Sequence, residues 1–371
     1  MSSIHQNQLT NPELIIMYHR LITHARFGAL LVLGVLVLLS GCLPFIKKPP
    51  AVDQIFTETS DTAFRIDVKA LPINWDDLDA KKTQLESAFV EPGEDPVYAI
   101  INTLQIEPRE ILTVAGCTYG LKEYLALDEE DRTEQPNWVC AIDIDRKLAV
   151  EEILKAIAED KHLEFTAKMI GKEQGFDLLE IRNKHDESIF NLALYSGNRS
   201  QIRFGNPASV VSSLNNTEDY VLVREDMLRL EAQSWFFAKI PEELNDNLNQ
   251  FETMLPFEPG ALVSGFMTAV FSVEANGPAI DSTLALEFEN EDQANTAFSY
   301  LQLGLNFALK PYLRKKTDGQ ASHFIRSIRN ENTEDIVKLS FSVNGKDLES
   351  LEQLLEGNIP PVLLSFLDLI K

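Results

Sequence analysis

Apolar and polar positions along the chain divide it into short strands and amphipathic helices. Over Trp138–Ile144 the residues Trp138, Cys140, Ile142 and Ile144 recur with a period of two, which predicts a strand with one apolar face. Ile111–Thr118 reads the same way, with Cys117 near its end. The run LAVEEILKAIAED after Arg146 and Lys147 changes to helical spacing. Leu262–Val273 and Ile280–Phe288 flank Asn276 and Gly277, a pair that favours the positive backbone angles of a tight hairpin. Asn290 is placed to cap the next helix, with Gln293 as its capping-box partner. Asp95 and Pro96 open another predicted helix, carrying Val97, Ile100, Ile101 and Leu104 and ending before Pro108.

The chain also matches itself. IRNKHDESIFNLALYSGN from Ile181 resembles IRNENTEDIVKLSFSVNG from Ile328, an offset of 147 residues, and both read strand, polar turn, strand, turn. Upstream, CAIDID before one helix matches LALEFE before another, and each copy runs on into a helix: PASVVSSL in the first, LESLEQLL after Asp347 in the second. The expected fold class is therefore α+β, with two tandem ββαββα-type repeats whose antiparallel sheets are covered by helices. The first unit is placed at residues 64–218 and the second at 219–371.

Ahead of them lies an apolar run, Phe27–Leu39, preceded by Arg20 and Arg26 and followed by Ser40, Gly41 and Cys42. It is shorter than the roughly 20 residues that span a bilayer core and has the layout of an export signal. Leu39, Ser40, Gly41 and Cys42 resemble the lipobox of bacterial lipoproteins. The resemblance, confined to this leader, implies cleavage before Cys42, diacylation of that cysteine and attachment to the membrane through lipid. With Leu43 rather than Asp after the cysteine, it also implies the outer membrane over the inner, facing the periplasm or the cell exterior. Residues 1–41 are then a signal peptide, and Met17 makes a better start than Met1 because the basic residues come directly after it. Residues 42–63, rich in early prolines, are expected to be a tether.

Charge narrows the partners. A net charge of −24 repels phosphate backbones, so nucleic acid is not expected as a partner. Export would place Cys117 and Cys140 where disulfides persist, and if their strands pair antiparallel the two can bond; two buried thiols are the alternative.

Chemistry is hard to find. His162, His185 and His323 are the histidines after the leader, and no HExxH, GxSxG, Walker or zinc-spaced cysteine pattern occurs. Asp143 and Asp145 read as the solvent face of their strand, Asp128–Asp131 as a solvated loop, and His185 as a turn residue. Trp235, Phe236 and Phe237 must place an aromatic on each face of a strand, and the tail Pro361–Ile370 is amphipathic and expected to dock on its own domain. No catalytic residue, metal or cofactor is assigned. The reading is a lipid-anchored envelope protein acting as a binding or interaction module of unknown ligand, with an envelope protein as a possible partner. Its alternatives are a carboxylate-dependent hydrolase and a structural subunit of an envelope complex.

Overall fold

The computed structural model describes residues 50–71, 100, 104–121, 124, 136–159, 164–216, 220–228, 232, 234–240, 265–277, 279–317 and 319–347. They form a mixed α/β fold built on one antiparallel sheet of 12 strands with few helices. The strands are β1 (Ser60–Asp67), β2 (Ile111–Tyr119), β3 (Asn137–Ile144), β4 (Phe165–Glu173), β5 (Phe176–Asn183) and β6 (Ser188–Ser196). Then come β7 (Ser200–Gly205), β8 (Ser234–Lys239), β9 (Phe266–Asn276), β10 (Ala279–Phe288), β11 (Arg329–Thr333) and β12 (Ile336–Asn344). Their order across the sheet is β11-β12-β10-β9-β8-β1-β2-β3-β7-β6-β5-β4.

Tight turns set five of the eleven neighbouring pairs. Between β4 and β5 the chain reverses at Gln174 and Gly175, both at positive φ (49° and 86°), the backbone of a two-residue hairpin turn matched to strand twist. The predicted reversal at Asn276-Gly277 joins β9 and β10, but Asn276 is the last residue of β9, paired with Ala279, and of the two only Gly277, at φ 59°, takes a positive angle. Five helical segments complete the frame: α1 (Val150–Glu159), α2 (Pro207–Asn215), α3 (Glu291–Leu303), α4 (Lys310–Lys316) and α5 (Ser322–Ser327). A π-helical turn, Gly304–Leu309, links α3 to α4. Asn290 caps α3 by accepting from the Gln293 amide at 3.1 Å, as its spacing predicts.

Both faces of the sheet are covered over its centre. On one, Ile153 and Ile157 of α1 pack on Ile142, Ile144, Leu192, Leu194, Ile202 and Phe204. On the other, Val52, Ile55 and Phe56 join Val210 and Leu214 of α2 and Val223 and Met227 of the crossing segment 220–228, over Ala63, Ala115, Ala141 and Ala193. Alanines there let the overlying backbone approach closely.

Two expectations change. The sequence predicts a tether running to residue 63, yet Val52–Ile55 form a buried 3-10 turn and β1 is a central strand, so residues 50–63 belong to the fold. It also predicts two separately covered units, yet β1 pairs with both β2 and β8 and fuses the halves into one sheet. The self-matching hairpins β5–β6 and β11–β12 are placed differently as well, since β12 lies directly beside β10 whereas β7 intervenes between β3 and β6. A pattern of strands and turns cannot encode which edge a hairpin joins.

Candidate functional site

Across the strap-covered face, antiparallel register brings one row of residues together: Trp235, Arg65, Ala115, Ala141, Arg203 and Ala193, from β8, β1, β2, β3, β7 and β6. Asp143 and Gln201 face each other one step along the same face. The row thus carries two arginines separated by two alanines. Residues 50–56, hereafter the strap, cross above it.

Among the described residues the strap has no ladder partner; the Ala51 and Asp53 carbonyls accept from its own amides, and those of Pro50, Gln54, Ile55 and Phe56 are satisfied by side chains. Gln201 Nε2 donates to Pro50 O at 2.6 Å, and Asn216 Nδ2 donates to Gln54 O at 2.8 Å and Phe56 O at 3.0 Å. Tyr119 Oη donates to Ile55 O at 2.7 Å. Arg65 Nη1 reaches Asp53 Oδ2 at 2.6 Å, and Phe56 stacks obliquely on Trp235 with centroids 5.2 Å apart.

Beneath the strap Gln201 is the pivot. The same Nε2 donates to Asp143 Oδ1 at 2.8 Å, while Gln201 Oε1 accepts from Arg203 Nε at 2.8 Å. Arg203 is 1% exposed; its Nη1 donates to the Ser213 carbonyl near the end of α2, where the helix dipole favours a cation, and its guanidinium lies 5.0 Å from the Phe176 ring centroid. Burial pulls Arg203 down to about 10 despite the carboxylate of Asp143 nearby. It pushes Asp143 up to about 6, opposed by the Gln201 hydrogen bond and by Arg203. Asp53 adds to the rise and Arg65 opposes it. Cys117, beside Tyr119 at 3.0 Å, is raised to about 12 by burial and is therefore an unreactive thiol at neutral pH.

A carboxyl titrating near 6 can in principle move protons. Here, however, the groups around Asp143 engage one another and the strap, an arrangement suited to clasping a chain segment rather than to turnover.

The residues singled out in the sequence fall as follows. Asp143 and Asp145 are not a solvent face: Asp143 belongs to the clasp, and Asp145, 6% exposed, receives Lys69 Nζ at 2.9 Å and Arg199 Nε at 2.8 Å. Period-two reasoning marks Trp138, Cys140, Ile142 and Ile144 as the buried side; Cys140, Ile142 and Ile144 are buried and Trp138 half-buried against them, and the opposite side is buried too, by a strap distant in sequence. The expected disulfide is absent, because Cys117 pairs with Val139 and Cys140 with Gly116, one residue out of step, which sends the free thiols to opposite faces. At Gly116 a Cβ would meet Phe64 at 2.5 Å and Cys140 Sγ at 2.8 Å.

His185 is exposed in its turn, with its amide donating to Asn183 Oδ1. His323 Nδ1 lies 2.9 Å from Asp347, but that carboxylate also accepts from the Phe324 and Asn344 amides, which is the work of a helix cap. Phe237 is buried and Trp235 half-buried on the strap side, while Phe236 is 46% exposed on the other. Leu39, Ser40, Gly41, Cys42, Met17, the helix start at Asp95 and Pro96, Asp128–Asp131, His162 and the tail Pro361–Ile370 lie outside the described residues. Among the described residues no group of three His, Cys, Asp or Glu is placed to hold a metal, and no helix is long and apolar enough to cross a membrane.

No family model matches the chain, and no curated protein matches it. Among solved structures, crystal form III of TP0453 superposes with a TM-score of 0.42 at 12% identity, over 83% of this chain and 99% of that one. Crystal form IV of the same protein gives 0.41 at 8% identity, over 82% and 96%. Such values are too low to carry an assignment.

Proposed function

We propose that this chain is a lipid-anchored bacterial envelope protein whose folded part serves as a binding or interaction module. The observation that carries this reading is the leader itself: Arg20 and Arg26, the apolar run Phe27–Leu39, and Ser40-Gly41-Cys42 at its end. Two or three acyl chains on Cys42, at about 0.8 kcal/mol per buried methylene, anchor a protein stably where one chain is marginal. With Pro50 already in the fold, seven residues separate it from Cys42, a sequence distance that no conformation can stretch beyond roughly 25 Å. The strap would then stand close to the lipid, and its clasp would transmit the anchor's position to the sheet. The outer membrane is the proposed address, with Leu43 following the cysteine. Duplication of an ancestral ββαββα unit remains part of the proposal, resting on the match between residues 181–198 and 328–345.

Intact mass and membrane fractionation of the natively expressed chain beside a Cys42→Ser variant test the anchor. Acyl mass and membrane flotation are expected for the wild type alone. If both proteins are unacylated and soluble, the anchored reading fails. Peptides from residues 1–16 on the unprocessed precursor would count against initiation at Met17.

A further inference from the structure

Among the described residues the two large apolar side chains most open to solvent are Phe307, 80% exposed, and Val221, 71% exposed, and they stand in patches of opposite charge. Phe307 lies on the helical run through α3, the π turn and α4, with Leu303, Leu309 and Tyr312 also exposed around it. From Gln293 to Thr317 the sequence has no Asp or Glu, whereas Lys310, Arg314, Lys315 and Lys316 fall within seven positions. In a chain of net charge −24 that is a concentrated basic surface, and Lys316 Nζ stands 5.9 Å from the centroid of the Tyr312 ring.

Val221 opens the crossing segment 220–228 together with exposed Tyr220. Exposed Glu225 and Asp226 follow it, Arg224 binds Glu287 and Asp335 as well as Asp226, and exposed Glu334 adjoins Asp335. Five acids thus stand with one arginine, which leaves this patch acidic. Each patch sets apolar side chains among charges of mainly one sign, the pattern of a docking face, and each supplies the charge that the other lacks.

The two cannot meet within one molecule. Leu305 and Leu313 seat the helical run over Leu339 and Phe341 of β12, while Val223 and Met227 seat the crossing segment with Ala285 of β10 and Ile336 of β12. Successive strand residues alternate faces, so Ile336 and Leu339 point to opposite sides of the sheet. A second copy can bring its acidic patch to the basic one. A bilayer of anionic headgroups, by contrast, repels the rest of a chain this acidic.

We propose that this chain associates with itself head to tail, the basic patch around Phe307 of one copy docking on the acidic patch around Val221 of the next. Because the two surfaces differ, the contact is heterologous: each copy in a row keeps one patch free for another, and the assembly grows as a chain or closes as a ring. The run from Leu303 to Lys316 is roughly 20 Å long at about 1.5 Å per residue, a contact below standard interface size and weak between free molecules. Confinement of the copies to one membrane, on the anchored reading above, raises their effective concentration, but the complementarity itself does not depend on the anchor.

The test is crosslinking, in intact cells and with a short bismaleimide, of the natively expressed full chain carrying Phe307→Cys and Val221→Cys. Cys117 and Cys140 are buried, and the chain without the introduced cysteines is the control for Cys42. A ladder of dimers, trimers and longer products is expected, at least tenfold above the dimer yield of Phe307→Cys alone or Val221→Cys alone. Arg314→Gln, Lys315→Gln, Lys316→Gln in one variant, and Glu225→Gln, Glu334→Gln in another, should each lose the ladder. The two variants expressed together should recover dimers, because one keeps the acidic patch and the other the basic patch; that recovery separates a lost contact from a lost fold. A ladder from protein that proves unacylated would count against the anchor and leave self-association standing. No ladder from the chain with both cysteines overturns the proposal. So does an equal yield from Phe307→Cys alone, which makes the contact isologous, or a ladder that survives both neutralisations. Protection of Phe307→Cys from maleimide by phosphatidylglycerol vesicles, with no ladder, makes a lipid surface the occupant and overturns it too.

Discussion

Two arginines stand where crossing segments pass over this sheet, and they are held by opposite electrostatic means. Arg203 lies beneath the strap, 1% exposed, with no carboxylate in direct contact among the described residues; a glutamine, a carbonyl and an aromatic ring are its partners. Arg224 rides on the crossing segment 220–228 with its side chain 39% exposed, and it binds three carboxylates: Asp226 at 2.8 Å, Glu287 at 2.7 Å and Asp335 at 2.8 Å. Burial drives Arg203 below its ordinary value, whereas the Asp335, Asp226 and Glu287 hydrogen bonds drive Arg224 above its own. A buried cation held by neutral dipoles is costly to maintain and costlier to break, while an exposed cation in a carboxylate cluster is cheap in both respects.

The largest effect expected from this contrast is at Arg203. Arg203→Ala removes the cation, leaves Gln201 Oε1 and the Ser213 carbonyl without their donor, and abandons Asp143 in a buried setting. A loss of about 3–5 kcal/mol in unfolding free energy is expected by urea denaturation. Arg203→Met paired with Asp143→Asn should recover a large part of it, since the fault lies in unmatched charge more than in lost volume. If Arg203→Ala unfolds at the wild-type midpoint, the buried arginine is not part of the clasp.

Asp143 comes next, with the sign reversed. Its carboxyl is raised from 3.8 to about 6, so folding favours the protonated form. The stabilising contribution of protonated Asp143 is complete below the ordinary carboxylate value and disappears as pH rises through about 6. At neutral pH the ionised group therefore costs roughly 2–3 kcal/mol, each tenfold change in proton affinity being worth about 1.4 kcal/mol. Asp143→Asn, which keeps an oxygen for Gln201, should raise stability by about that amount at pH 7 and show no advantage near pH 3.5. Parallel pH profiles for the two proteins would mean that Asp143 is solvated after all.

How much of this is legible in the sequence depends on whether the cause is local. The Asn276-Gly277 hairpin and the Asn290 and Gln293 cap are decided within a few residues, and both are found. The faces of β3 are half legible: period two names the sides, but burial of the second side comes from Val52, Ile55 and Phe56, more than 80 positions away. The prolines at 49 and 50 suggest a tether; Pro50 is instead the first residue of a strap whose carbonyls are held by β2, β7 and the residue after α2. The cysteines miss each other by a single step of register, which on a strand exchanges the two faces and which no local pattern encodes. Arg203 carries no local signal, an arginine in an alternating strand being ordinary until the opposite layer is known. The basic run KPYLRKK is visible in the sequence, but the net charge of the whole chain hides it.

The smallest effect is expected at Arg224, and its smallness is what tests the contrast. Val223 and Met227 already bury the crossing segment against the sheet, at 4% and 1% exposure, so the ion cluster fastens a segment that packing also holds. With its side chain more than a third exposed, Arg224→Ala should cost about 1 kcal/mol despite three carboxylate partners, because solvent screens each pair. The loss should shrink in roughly 0.5 M salt, where exposed charges are screened within a few ångströms. It should also vanish in acid. The Arg224 hydrogen bond holds Asp335 below its ordinary value, so the stability it lends is present above the usual carboxylate range and disappears as pH falls through the lowered value. Wild type and Arg224→Ala should therefore converge at low pH. A salt-independent loss as large as that of Arg203→Ala would mean that the carboxylate cluster, and not burial, is what fastens both crossings.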